Sequence, residues 1–195
     1  RINDHRVGYF VNQSTDLTSY ENFPNFALIN KWRLIKKDPE LEISEPVEPI
    51  IFWVENTTPE EIVPAVIAGI ENWNIAFKEA GFKNAIVAKI QPEDAKWDAA
   101  DYDYNVIRWS SEPDGGLLGI GPRVTNPLTG EIISADVVNK LLAVKVGRNY
   151  RKLYGYTEDN DPLMQYITNL TLHEVGHAIG LRHNFRGSYL YNPVE

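Results

Sequence analysis

From residue 50 onward the apolar positions fall into short runs and helical stripes. Ile50, Ile51, Phe52, Trp53 and Val54 form an unbroken apolar run of the length a buried strand uses. Thr58, Pro59 and Glu61 then read as a capping box, with the hydroxyl and the glutamate satisfying backbone donors reciprocally. Val63, Val66, Ile67, Ile70, Trp73 and Phe77 follow at helical spacing, and Gly81 ends that helix. Pro64 is expected to distort its second turn. Residues 84–90 and 104–109 read as two further strands. Residues 118–125 and 131–138 read as a hairpin, in which Ile133, Ala135 and Val137 alternate and Asn126-Pro127-Leu128-Thr129-Gly130 forms the turn. Residues 140–154 form a basic helix. Asp161-Pro162 caps and starts the last one, with Leu163, Tyr166, Ile167 and Leu170 on one face.

Before residue 50 the pattern is looser. Residues 6–12 and 27–35 are candidate strands, and Glu45-Pro46-Val47-Glu48-Pro49 reads as a linker. The expected organisation is an N-terminal segment and linker over 1–49 and one α/β (α+β) domain over 50–195. The five tryptophans are scattered and read as core.

Composition narrows the chemistry. The chain has 195 residues and a formal net charge of −8, which argues against nucleic acid or an anionic membrane as partner. No apolar run approaches the ~18 residues of a spanning helix, and the polar start at Arg1 has none of the zones of a signal peptide. With no cysteine, a disulfide scaffold, a thiolate nucleophile and a Cys-type zinc site are all excluded. Of the 4 histidines, three are His173, His177 and His183.

Those three belong to His173-Glu174-Val175-Gly176-His177-Ala178-Ile179-Gly180-Leu181-Arg182-His183. On a helix, His173 and His177 stand about 40° apart around the axis and about 6 Å along it, so both imidazoles can reach one metal ion. A continued helix would carry His183 onto another face, so the chain must break between them. Gly180 stands where that break is needed, because glycine takes a left-handed backbone without steric cost. Three imidazoles leave a fourth zinc position open, as catalytic sites do. Glu174 is placed to act as general base toward a zinc-bound water, and the expected reaction is peptide-bond hydrolysis without a covalent intermediate. Chance occurrence of the five fixed positions in such a chain is on the order of one in 10⁵. The alternatives are an inactive zinc-holding binding module and a zinc hydrolase acting on something other than peptides. His5, Arg182 and Asn184 read as ordinary surface or hydrogen-bonding residues. Gly119-Ile120-Gly121 is a poor match to a nucleotide loop, since neither a third glycine nor a following Lys-Ser/Thr is present. Three glycosylation triplets, at Asn12, Asn56 and Asn169, are discounted.

The long motif with its glycine and third histidine resembles that of the metzincin clan of zinc metallopeptidases. More narrowly, residues 3–10, 31–34, 73–85, 104–109 and 172–185 resemble a group of large bacterial zinc-dependent metalloproteases. The resemblance implies a metzincin-like twisted mixed sheet with an active-site helix below it, Zn²⁺ held by His173, His177 and His183, and Glu174 as catalytic base. It also implies a peptide or protein substrate laid along an edge strand, for which 118–125 is the candidate, and an extracytoplasmic location. Metzincins carry a methionine turn downstream of the third histidine. Here the only methionine, Met164, lies upstream of the motif and the chain ends at Glu195. The expectation is a catalytic domain truncated before that turn, with the C-terminal subdomain absent.

Overall fold

The computed structural model of the chain describes residues 8–18, 20, 25–111, 119–157 and 159–183. Strands β1 (Val11–Thr15) and β2 (Asn25–Ile29) form an antiparallel pair. Strand β3 (Ile50–Val54) leads through a short 3₁₀ turn into helices α1 (Val63–Glu71) and α2 (Trp73–Glu79). Strands β4 (Ile86–Ile90), β5 (Asn105–Ser110), β6 (Gly119–Ile120), β7 (Arg123–Thr125), β8 (Ile132–Ala135) and β9 (Val137–Lys140) follow. Helices α3 (Leu141–Tyr154) and α4 (Pro162–Ala178) complete the described part of the chain.

The main sheet runs β4-β3-β5-β9-β6, with the first four strands parallel and β6 antiparallel at the edge. It is a mixed α/β fold of the kind expected. Alternation along β3 turns Phe52 and Val54 to the helices and Trp53 to the other face, where it meets Trp97 and Tyr104, the latter two stacked with centroids 4.0 Å apart. Helices α1 and α4 lie side by side against the inner face, and α3 packs on α4. Phe52, Ile107 and Val137 from the sheet meet Val66 and Ile70 of α1 and Leu163, Ile167 and Val175 of α4, all of them fully buried. That burial drives the assembly and sets α4 rigidly beneath the sheet.

Several local expectations give way to tertiary constraints. The capping box does not form: the buried Thr58 hydroxyl has no partner, no side chain caps the turn, and Glu61 instead pairs with Arg148 on α3. Pro64 causes no distortion, because α1 begins at Val63 and the proline occupies the first turn, where no amide hydrogen is required. The long helix over 63–77 is two helices meeting at Asn72. The hairpin is present but split, with β7 pairing β8 and β6 pairing β9. Asp136, which accepts a hydrogen bond from the Val106 amide at 3.0 Å, separates β8 from β9. This shifts the alternation, so that Ile132, Ser134 and Ala135 are buried and Ile133 is 57% exposed. All five tryptophans are half-buried: Trp32, Trp73 and Trp109 pack against the core, as expected, while Trp53 and Trp97 meet each other outside it, and the ring N–H groups of Trp32 and Trp73 donate to the Ala178 and Leu172 carbonyls of the last helix. The strand expected over 6–12 appears as β1, starting at Val11; its first residues, Arg6 and Val7, lie outside the described part, as does Leu118.

The segment before residue 50 is tied to the end of α4. Phe10 donates to the Gly180 carbonyl at 2.9 Å, Arg182 donates to that of Gly8 at 2.7 Å, and Tyr9 bridges Leu181. The Ile132 amide also donates to the Lys31 carbonyl and the Lys31 amide to that of Gly130, joining this segment to the start of β8.

Candidate metal centre

Helix α4 starts where Asp161 caps it, its carboxylate accepting the Leu163 amide at 3.0 Å. Arg151 of α3 pairs with the same carboxylate. Seventeen residues on, the helix stops in a Schellman turn: the Gly180 amide bonds to the His177 carbonyl at 2.9 Å and that of Leu181 to Gly176 at 3.0 Å. Gly180 sits at φ +105, where a Cβ would overlap the Asn30 carbonyl oxygen. Two independent constraints therefore require glycine at this position.

Beyond the turn, the backbone pairing of Leu181 and Arg182 with Gly8 and Tyr9 directs His183 back toward the helix. The Nε2 atoms of His173, His177 and His183 stand 3.1 Å from one another in all three pairs. Imidazole nitrogens sharing a tetrahedral zinc at about 2.0–2.1 Å are expected roughly 3.3 Å apart. The Nδ1–H of His177 donates to the Leu181 carbonyl at 2.7 Å, which leaves its Nε2 as a bare lone pair. Three converging ring nitrogens, one of them without a proton to give, fit a divalent cation better than a hydrogen-bonded triangle. Phe10 packs edge-on against the His177 ring, with centroids 5.7 Å apart, and the Arg123 guanidinium lies 3.6 Å over the Phe10 ring. Burial, then the charges of His177 and His183, holds the His173 imidazole below its ordinary value, so it is ready to coordinate at neutral pH.

Glu174 lies on the sheet side of α4 and is 6% exposed. Burial pushes its carboxyl above the usual carboxylate range, while His177 and His183 pull the other way. Higher proton affinity suits a group that must take and return a proton. Strand β6 passes directly over it, with Gly119 against the Glu174 side chain and Gly121 against the helix backbone beside His177. The cleft beside the three histidines has a volume of about 340 Å³ and is walled by Trp73, Leu181 and Arg182.

All four residues singled out by the motif thus come together. His5 and Asn184 lie outside the described residues, and Arg182 contributes its backbone amide to the pairing with Gly8. The sequence carried no local signal for Gly8–Phe10, Trp73 or Asn30 as supports of this centre, since each reaches it from a distant part of the chain. The lone Gly119-Ile120 pair is an edge strand and not a nucleotide loop. No helix among the described residues is long and apolar enough to cross a membrane.

No curated protein and no solved structure matches the chain. Residues 156–195, which include the last helix and all three clustered histidines, match the family model described as Met-zincin. The motif-bearing end of this chain is metzincin-like in sequence, and the histidine cluster and mixed sheet agree with that assignment.

Proposed function

We propose that the chain is the catalytic region of a zinc-dependent endopeptidase, in which His173, His177 and His183 hold the ion and Glu174 is the general base. The observation that carries this reading is the cluster of three Nε2 atoms 3.1 Å apart with a buried carboxylate on the same helix. Bound zinc would supply a Lewis acid that polarises the scissile carbonyl and lowers the pKa of water at its open position. Glu174 takes the proton from the attacking water and delivers it to the leaving amine, so that one carboxylate serves as base and then acid. His177 is held in its ligating tautomer by Leu181, and the Schellman turn keeps His183 facing it. Strand β6 is the antiparallel edge of the sheet beside Glu174, and an extended peptide added along it would present its carbonyl to the cleft.

The test is peptide hydrolysis by the zinc-loaded, full-length protein, compared with Glu174→Gln at equal zinc content. Cleavage that disappears in the variant supports the endopeptidase. Zinc binding with no cleavage of a proteome-derived peptide mixture by either protein identifies a zinc-holding binding module instead.

A further inference from the structure

Asn139 stands on β9 one residue-pair from the sheet edge, directly opposite Gly119 of β6. It shares with Val137 the side of the strand that faces the helices. Hydrophobic alternation would place an apolar residue there, yet the position carries a carboxamide. Asn139 is 0% exposed, and neither its Oδ1 nor its Nδ2 has a hydrogen-bond partner among the described residues. A buried carboxamide with both ends unused is destabilising, and native proteins keep such groups rarely and for a reason.

The surroundings of Gly119 indicate the reason. A Cβ built on Gly119 would lie 2.8 Å from Asn139 Oδ1 and 2.8 Å from Glu174 Cδ. The amide and the carboxyl thus converge on the bare face of one glycine, and the missing side chain is what admits them both. The Glu174 carboxyl makes no hydrogen bond to any described residue. A half-turn of the Asn139 amide exchanges Oδ1 for Nδ2 at constant shape, putting a donor in place of the acceptor beside Gly119.

We propose that Asn139 is a positioning residue for Glu174: with Nδ2 turned toward the carboxylate, it donates the hydrogen bond that fixes the base between β6 and the histidine cluster. The proposal rests on the endopeptidase reading, in which Glu174 moves the proton. A carboxylate held from the sheet side keeps one oxygen engaged and leaves the other for the attacking water. Loss of that support lets the base sample other rotamers, and displacement of a reacting group by about 1 Å costs on the order of 100-fold in rate.

Asn139→Leu separates this role from a packing role, because leucine fills the same space and removes the donor. Positioning predicts a kcat lower by on the order of 100-fold with KM and zinc content unchanged. A packing role predicts unchanged kcat. In the Glu174→Gln background the substitution should cause no further loss. Should Asn139→Leu fail to fold, Asn139→Ala, which also removes the donor, is read in the same way. The Asn139 side-chain amide resonances of the inactive zinc-loaded protein give an independent readout, and Glu174→Gln should shift them. Full kcat in the Asn139 variant beside an inactive Glu174→Gln overturns the proposal alone, as do amide resonances indifferent to Glu174→Gln. An active Glu174→Gln overturns the catalytic reading and the proposal with it.

Discussion

A Cβ placed on Gly119 would stand 2.7 Å from Cγ of Glu174, so the edge strand and the helix meet with no room for a methyl group. The atoms in its way belong to side chains, Cγ and Cδ of Glu174 and Oδ1 of Asn139, and not to backbone. Gly119→Ala is therefore expected to leave the fold and zinc content close to the parent while lowering kcat by on the order of 100-fold, because the proposed base would be displaced by about 1 Å. Zinc analysis with steady-state kinetics checks this, and an alanine variant of full activity would show that Glu174 need not lie where it is seen.

Gly180→Ala acts on the same centre through the backbone. The residue sits at φ +105 against the Asn30 carbonyl, so a side chain there is strained and crowded at once. A loss of about 1–3 kcal/mol in urea unfolding is expected. Weaker zinc binding should accompany it, because the turn that aims His183 is the part that must move.

Asp161 links the helix cap to Arg151. Burial works to raise its carboxyl, but the Arg151 guanidinium and the Leu163 amide outweigh this and hold it below the usual range. The ionised form is thus favoured by folding. Its contribution is present above the unfolded value of about 3.9 and is lost as pH falls through the lower folded value. Asp161→Ala, which removes cap and charge, should cost about 1–2 kcal/mol at pH 7 from the cap alone, with a further loss from the unpaired Arg151. Asp161→Asn, which keeps a capping oxygen, should cost less. Both differences should shrink in unfolding measurements made below about pH 4; a difference independent of pH would remove the charge from the account.

Removing one ligand should separate metal binding from folding. The core side of α4 is formed by Leu163, Ile167 and Val175, which are separate from the three clustered histidines. His183→Ala is expected to keep the helical circular dichroism of the parent and to bind zinc on the order of 100-fold more weakly, a share of the roughly 10–16 kcal/mol available to a complete site. In the parent, His173 is held below its ordinary value, so zinc should be retained at neutral pH and released only on acidification through the range where the imidazoles protonate. Unchanged zinc affinity in His183→Ala would remove this residue from the ligand set.

The parts of the fold legible in the sequence were those specified by local physics. The apolar run 50–54, the helical stripes of α1 and α4, the Asp161 cap and the Gly180 break each express a backbone or burial preference within a few residues. Where the reading failed, a distant partner had taken the residue: Glu61 is engaged by Arg148 instead of its own helix, and Asp136 is drawn to Val106 and Arg108 and breaks a strand that alternation would have continued.

The same division holds at the candidate site. Spacing along one helix was enough to put His173 and His177 on a common face and Glu174 beside them, because helical geometry is periodic and local. The convergence of His183, the tautomer of His177 and the placing of Glu174 under Gly119 were decided by tertiary structure. They depend on backbone pairing with Gly8–Phe10, on the Leu181 carbonyl and on the edge of the sheet. Gly8–Phe10 and the β6 edge lie far from the motif in sequence and meet it only when the core closes.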